Sequence, residues 1–111
     1  MSESTEPYGL ELAREIIYYL PKAGPMINTH RDYCGMGLWY ENDRYFYGEV
    51  YDGGFGSTER IFESEEEFAS WLAEQSDASL NGANHPDPFK RKNQRVTRRR
   101  LLAYRRYARK L

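Results

Sequence analysis

The amino-acid sequence predicts an α+β fold in which three helices pack on a small antiparallel β-meander, in the order α-β-β-β-α-loop-α. Three observations carry this expectation. Apolar residues recur at three- to four-residue spacing in three separate stretches, about 7–20, 65–76 and 97–110. Between the first and second of these lie two aromatic-rich runs, 37–41 and 44–51. The chain has 111 residues, 40% of them hydrophobic, which suits one core, so 1–111 reads as a single domain.

The first helix is expected over 7–20. Pro7 suits a first turn, where its missing N–H would lack a partner in any case. Leu10, Ala13, Ile16 or Ile17, and Leu20 supply the apolar stripe. Pro21 is expected to stop the helix by removing a donor and crowding the preceding turn. Lys22-Ala23-Gly24-Pro25 reads as a turn, and the stretch through His30 is compatible with a short edge strand. The runs 37–41 and 44–51 form a hairpin across Asn42-Asp43, a pair that tolerates tight turns. The glycine-rich run 52–56 turns the chain into a third strand, 57–62.

Ser64-Glu65-Glu66-Glu67 is a capping box opening a helix over 65–76, with Phe68, Trp71, Leu72 and Gln75 at helical spacing. The stretch 77–94, with Gly82, Pro86 and Pro88, reads as a long loop of the kind that is usually functional or mobile. The last helix starts at Thr97 as N-cap, with Val96 and Leu101 at hydrophobic-staple positions. Leu101, Tyr104, Tyr107 or Ala108, and Leu111 make it amphipathic, with a basic polar side.

The formal net charge of −1 conceals a strong asymmetry. Residues 1–89 hold all 17 acidic residues against five basic ones, a net −12, whereas 90–111 hold eleven basic residues and no acid. Such asymmetry suggests a charged partner for one part of the chain. The uncharged run in the first apolar segment, 16–21, falls far short of the ~20 residues a spanning helix needs, so no membrane is expected. The acidic start of the chain lacks the basic and apolar regions of a signal peptide. A single cysteine, Cys34, forms no internal disulfide, and a cytoplasmic protein is expected.

Catalytic signatures are weak. His30-Arg31-Asp32 echoes a kinase catalytic loop without any of its companion motifs. His30, Asp32, Cys34, His85 and Asp87 are metal-ligand types, but they lack the paired spacing of a zinc site. Two histidines suffice in principle for acid–base cleavage of RNA, yet a body of net −12 repels that substrate. No enzyme activity, metal or cofactor is therefore expected.

The charged and aromatic residues are more informative. Acids in the first helical turn, as at Glu65, Glu66 and Glu67, are favoured by the helix dipole; Arg98, Arg99 and Arg100 stand at the wrong end of theirs. Those arginines either pair with the acidic body or contact phosphates. In the second strand the tyrosines alternate with Phe46, Gly48 and Val50, so Tyr45 and Tyr47 share a face. That face is either covered by helices or free as a contact surface.

The segments 62–72, 75–77 and 79–80, followed by Asn93-Gln94-Arg95-Val96-Thr97-Arg98, resemble small bacterial immunity proteins of contact-dependent growth inhibition and polymorphic toxin systems. The resemblance covers roughly 37–111 and transfers no contact residue. It implies a cytoplasmic, non-enzymatic protein that binds and blocks a cognate toxin domain encoded by an adjacent gene, often a nuclease. Nucleases present basic clefts, and an acidic protein gains on-rate and specificity against them. The candidate toxin-binding surface is Glu41, Asp43, Tyr45, Tyr47, Glu49, Asp52 and Glu59. The alternative is a small nucleic-acid-binding or regulatory module acting through 90–110, with Arg98, Arg99 and Arg100 on phosphates. The acidic body makes nucleic acid the less expected partner.

Overall fold

The computed structural model of the protein describes residues 4–26, 34–51, 54–80 and 95–111. In chain order its elements are α1 (Leu10–Ala23), β1 (Cys34–Glu41), β2 (Arg44–Tyr51), β3 (Gly54–Phe62), α2 (Glu65–Glu74) and α3 (Arg98–Arg109). The strands form one antiparallel sheet in the order β1-β2-β3, which with the helices makes the α+β fold that the residue periodicities predict.

The β1–β2 hairpin keeps regular register from Cys34↔Tyr51 to Glu41↔Arg44. Asn42 and Asp43 have φ of 53° and 66°. Positive φ at both central residues is the turn type whose twist matches a two-residue hairpin. The Tyr40 hydroxyl donates to Asp43 Oδ1 at 2.9 Å and pins that turn. β3 pairs less regularly, with Tyr47 opposite Arg60 but Gly48 opposite Thr58. Glu59 is the extra residue of a β-bulge, and counting by twos along β3 loses the face there. Gly54 already pairs with Tyr51, so part of the run expected as a turn is strand.

The first helix begins later and ends later than its sequence suggests. The Tyr8 and Gly9 amides donate to the Gln75 and Ala73 carbonyls at 2.9 and 3.1 Å, satisfying groups left over at the end of α2. The chain therefore enters α1 as an extended segment and turns in at Gly9, whose φ of 90° suits glycine. Pro21 lies inside the last turn of α1 and does not stop it. Close to a C-terminus a proline removes only one hydrogen bond, and Gly24, with φ of 97°, ends the helix. The edge strand anticipated after Pro25 is represented by one bridge, Met26 to Leu38; 27–30 lie outside the described residues.

All three helices contribute to one core on one face of the sheet. Leu12, Ala13, Ile16, Ile17 and Leu20 from α1, Phe68, Ala69, Leu72 and Ala73 from α2, and Leu101, Tyr104 and Ala108 from α3 meet Met36, Leu38, Tyr45, Tyr47 and Phe62. Phe62 stacks on Phe68 at 4.6 Å, and Tyr47 meets Trp71 at 5.1 Å. Val96 and Leu101 are both fully buried, as the staple reading requires. The other sheet face holds a separate cluster, in which buried Trp39 and Val50 pack with Phe46. Trp39 and Phe46 stack nearly parallel, 5.4 Å apart.

Candidate functional site

Tyr45 and Tyr47 do not lie on an open surface. They are 6% and 8% exposed, because α2 covers the face that they share. The aromatic part of the expected contact surface is core, and the alternative that helices cover it holds. Burial, with the nearby Glu65 carboxylate, pushes the Tyr45 hydroxyl up to about 12. Burial also pushes Tyr47 up to about 12, with Glu59 adding to the effect and Arg100 and Arg60 opposing it. Tyr45 still reaches the surface, donating to Glu65 Oε1 at 3.3 Å.

The expected acids separate into two groups. Glu41 and Asp43 are exposed at the hairpin end of the sheet. Register places Arg44 opposite Glu41 and Tyr45 opposite Phe62, which brings Glu63 and the start of α2 to the same end. Arg44 pairs with Glu63 at 3.6 Å, an exposed contact of small energetic weight. Glu65, Glu66 and Glu67 occupy the first turn of α2, where Ser64 Oγ accepts from the Glu67 amide at 3.2 Å. Glu41, Asp43, Glu63, Glu65, Glu66 and Glu67 thus gather at one end of the molecule as an acidic rim that includes Arg44. Glu49 and Glu59 stand further along the sheet, at and beyond the bulge, and each already has a partner within the chain. Strand rise alone separates Glu49 from Arg44 by about 17 Å. Asp52 lies outside the described residues.

Beside this rim, α1 and the start of α2 enclose an open groove of about 690 Å³. Arg14, Glu15, Tyr18, Tyr19, Glu65 and Glu66 line it, above Ile17 and Ala69. Comparison with protein-family models, curated proteins and solved structures finds no match. The tyrosines at 18 and 19 meet edge to face at 5.2 Å, and the Lys22 ammonium sits 4.0 Å above the Tyr18 ring. Glu15 is held from behind by α3, accepting from Arg105 at 3.1 Å and Arg109 at 2.6 Å. Sequence reading missed Arg14, Tyr18 and Tyr19. Their signal was present as i,i+4 pairs, Arg14–Tyr18 and Glu15–Tyr19, off the apolar stripe of α1.

The three arginines that open α3 have three different fates. Arg98 donates to the Glu6 and Pro7 carbonyls at 3.3 and 2.8 Å, approaches Glu6 Oε1 at 3.6 Å and lies over the Tyr8 ring. Arg100 donates to the Met36 and Arg95 carbonyls, both at 2.8 Å. Arg99 is exposed. As a phosphate-binding trio they are therefore not available together, since two serve the fold. Asp77 Oδ1 accepts from the Arg98 amide at 2.7 Å and from the Tyr8 hydroxyl at 2.9 Å, placing an anion at this helix start.

His30, Asp32, His85 and Asp87 lie outside the described residues. Among the described residues no group of three or more potential ligands is placed to hold a metal ion. Among them, too, no helix is long and apolar enough to cross a membrane.

Proposed function

We propose that this protein neutralises a toxin domain, encoded by an adjacent gene, by direct contact and without catalysis. The observation that carries the reading is the acidic rim, in which six exposed carboxylates gather at the hairpin end and the start of α2, and among the described residues Arg44 makes an ion pair with one of them, Glu63. A basic cleft, such as that of a nuclease, is complementary to this surface. Among the described residues, the α3 cations Arg98, Arg100, Arg105 and Arg109 are committed to partners in the body other than the rim carboxylates. The resemblance of the segments 62–72, 75–77, 79–80 and 93–98 to immunity proteins points the same way.

Co-expression of the adjacent gene's toxin domain with this protein tests the reading. Cells carrying both survive, and the two copurify. Reversing Glu41 and Glu63 to Lys slows association by about tenfold or more at low salt while thermal stability is retained. Equal cell death with and without this protein overturns the reading.

A second reading has one observation in its favour. Arg99 and Arg106 on α3 and Lys110 at its C-cap are exposed along one outward side, at spacings of seven and four. Phosphates fit such a row. Binding of an oligonucleotide at physiological salt, abolished by Gln at all three positions, would favour this reading over the first.

A further inference from the structure

We infer that the groove between α1 and the start of α2 receives an arginine or lysine side chain of the protein partner, held between the Tyr18 ring and the Glu65 and Glu66 carboxylates. This rests on the reading of the chain as a protein-binding inhibitor and names the chemistry that its partner brings. The first argument is the composition of the groove. Its floor is apolar and closed, with Ile17 1% and Ala69 3% exposed, whereas its lips carry carboxylates and an aromatic face. A cationic side chain has that same division, with a methylene stem that covers apolar surface and a charged head that stays at the lip.

The second argument is that a cation already uses the aromatic wall. Lys22 places its ammonium 4.0 Å from the centre of the Tyr18 ring, although that ring remains 50% exposed. The ring is therefore shown to accept a cation on one face from within the chain. The molecule repeats the contact with Arg98 over Tyr8 and Arg60 over Trp71. Cation–π attraction strengthens as the pair loses water, so a groove is a better place for it than a flat surface.

The third argument is the state of the carboxylates. Glu15 is spent on Arg105 and Arg109. Glu65 accepts one hydrogen bond, from the neutral Tyr45 hydroxyl, and keeps its charge uncompensated by it. Glu66 is exposed and its carboxylate has no hydrogen bond or ion pair among the described residues. The lining holds one cation, Arg14, which is exposed at the lip. An incoming cation thus meets two carboxylates and two repulsive neighbours, Arg14 at the lip and Lys22 over the Tyr18 ring. Signs follow for each position: Glu66 and Tyr18 attract, whereas Arg14 and Lys22 compete.

The test uses the full chain, isotopically labelled, titrated with an acetylated and amidated Gly-Arg-Gly-Lys-Gly peptide and with its Gly-Glu-Gly-Glu-Gly counterpart. Amide shifts of Tyr18, Tyr19, Glu66 and Ala69 should move saturably with the cationic peptide and not with the acidic one. Glu66→Gln should weaken binding about three- to fivefold, the scale of one charge pair in water. Tyr18→Leu, which changes no charge, should weaken it about two- to fivefold. Arg14→Gln and Lys22→Gln should each strengthen it. Glu74→Gln, at the far end of α2, should leave it unchanged. Shifts spread over the whole acidic rim, equal binding of the acidic peptide, or indifference to Tyr18→Leu would overturn the proposal.

The same variants are then measured against the adjacent gene's toxin domain. If Glu66→Gln and Tyr18→Leu proteins bind it with wild-type affinity, the groove assignment falls and the reading as an inhibitor stands. If the wild-type protein forms no complex, that reading falls, while the peptide titration still decides whether the groove selects cations.

Discussion

Tyr45 keeps its ring in the core and its hydroxyl beside an exposed Glu65, so its two ends answer to different forces. Tyr45→Phe removes only a hydrogen bond to a solvated carboxylate and should cost less than about 1 kcal/mol. Tyr45→Ala opens a cavity against Phe68 and should cost about 3–5 kcal/mol in denaturant melts. Trp71 is half-buried at the rim of the same aromatic cluster, although its helical spacing alone makes it look like core. Trp71→Ala should therefore cost about 1–3 kcal/mol, below the ~3–5 kcal/mol expected at fully buried Phe68. Equal losses at the two sites would contradict this ranking. The tyrosines also set an alkaline limit. Burial first, then neighbouring acids, raises both Tyr45 and Tyr47 from the ordinary value of 10.0 to about 12. The folded form holds these protons more tightly, so the stabilisation is complete below about pH 10 and is lost as pH rises through about 12. Denaturant midpoints against pH, read beside tyrosinate absorbance, check this. A Tyr45→Phe, Tyr47→Phe protein should show a flatter decline, and an unchanged one would rule these two groups out.

At the scale of elements, α3 begins against its own dipole and is rescued from outside. Three cations fill its first turn, and the Asp77 carboxylate supplies the missing anion while Thr97 caps the Arg100 amide at 3.2 Å. Asp77→Ala should cost roughly 1–3 kcal/mol, since it leaves the Arg98 amide and the Tyr8 hydroxyl short of an acceptor. Arg100→Gln should also destabilise, whereas Arg99→Gln should stay within about 0.5 kcal/mol of wild type. Thermal melts of the three variants separate these outcomes. Much of this element level was legible in the sequence. Capping at Ser64 and Thr97, the Val96–Leu101 staple and the Asn42-Asp43 turn are local devices, fixed by residues a few positions apart. What was not legible depends on distant partners. Only the carbonyls at the end of α2 explain why residues 7–9 are extended, and only the bulge explains why Glu59 leaves the pattern of β3. The tyrosine face was readable as a face, but which helix covers it is a tertiary fact.

For the whole molecule, folding sorts the opposite charges that the sequence keeps apart. Glu6 and Glu15 hold Arg98, Arg105 and Arg109, so α3 is bound to the body partly by ion pairs. Replacing Arg105 and Arg109 with Gln should lower stability, and the loss should shrink at high salt because these pairs are partly exposed. A loss that is independent of salt would point to packing of the arginine stems instead. The candidate site was half legible at this scale. Its acids could be read from composition, but the groove is made by two helices that are distant in sequence, and no local pattern announces it.

The acidic rim has a consequence for how the protein can diverge. Glu41, Glu63 and Glu66 stand outside both apolar clusters, so the free energy of folding hardly registers what occupies these positions. Exposed sites of this kind usually tolerate substitution within about 0.5 kcal/mol. Lineages can therefore rewrite the specificity of the surface by drift at the rim, while the buried rings preserve the architecture beneath it.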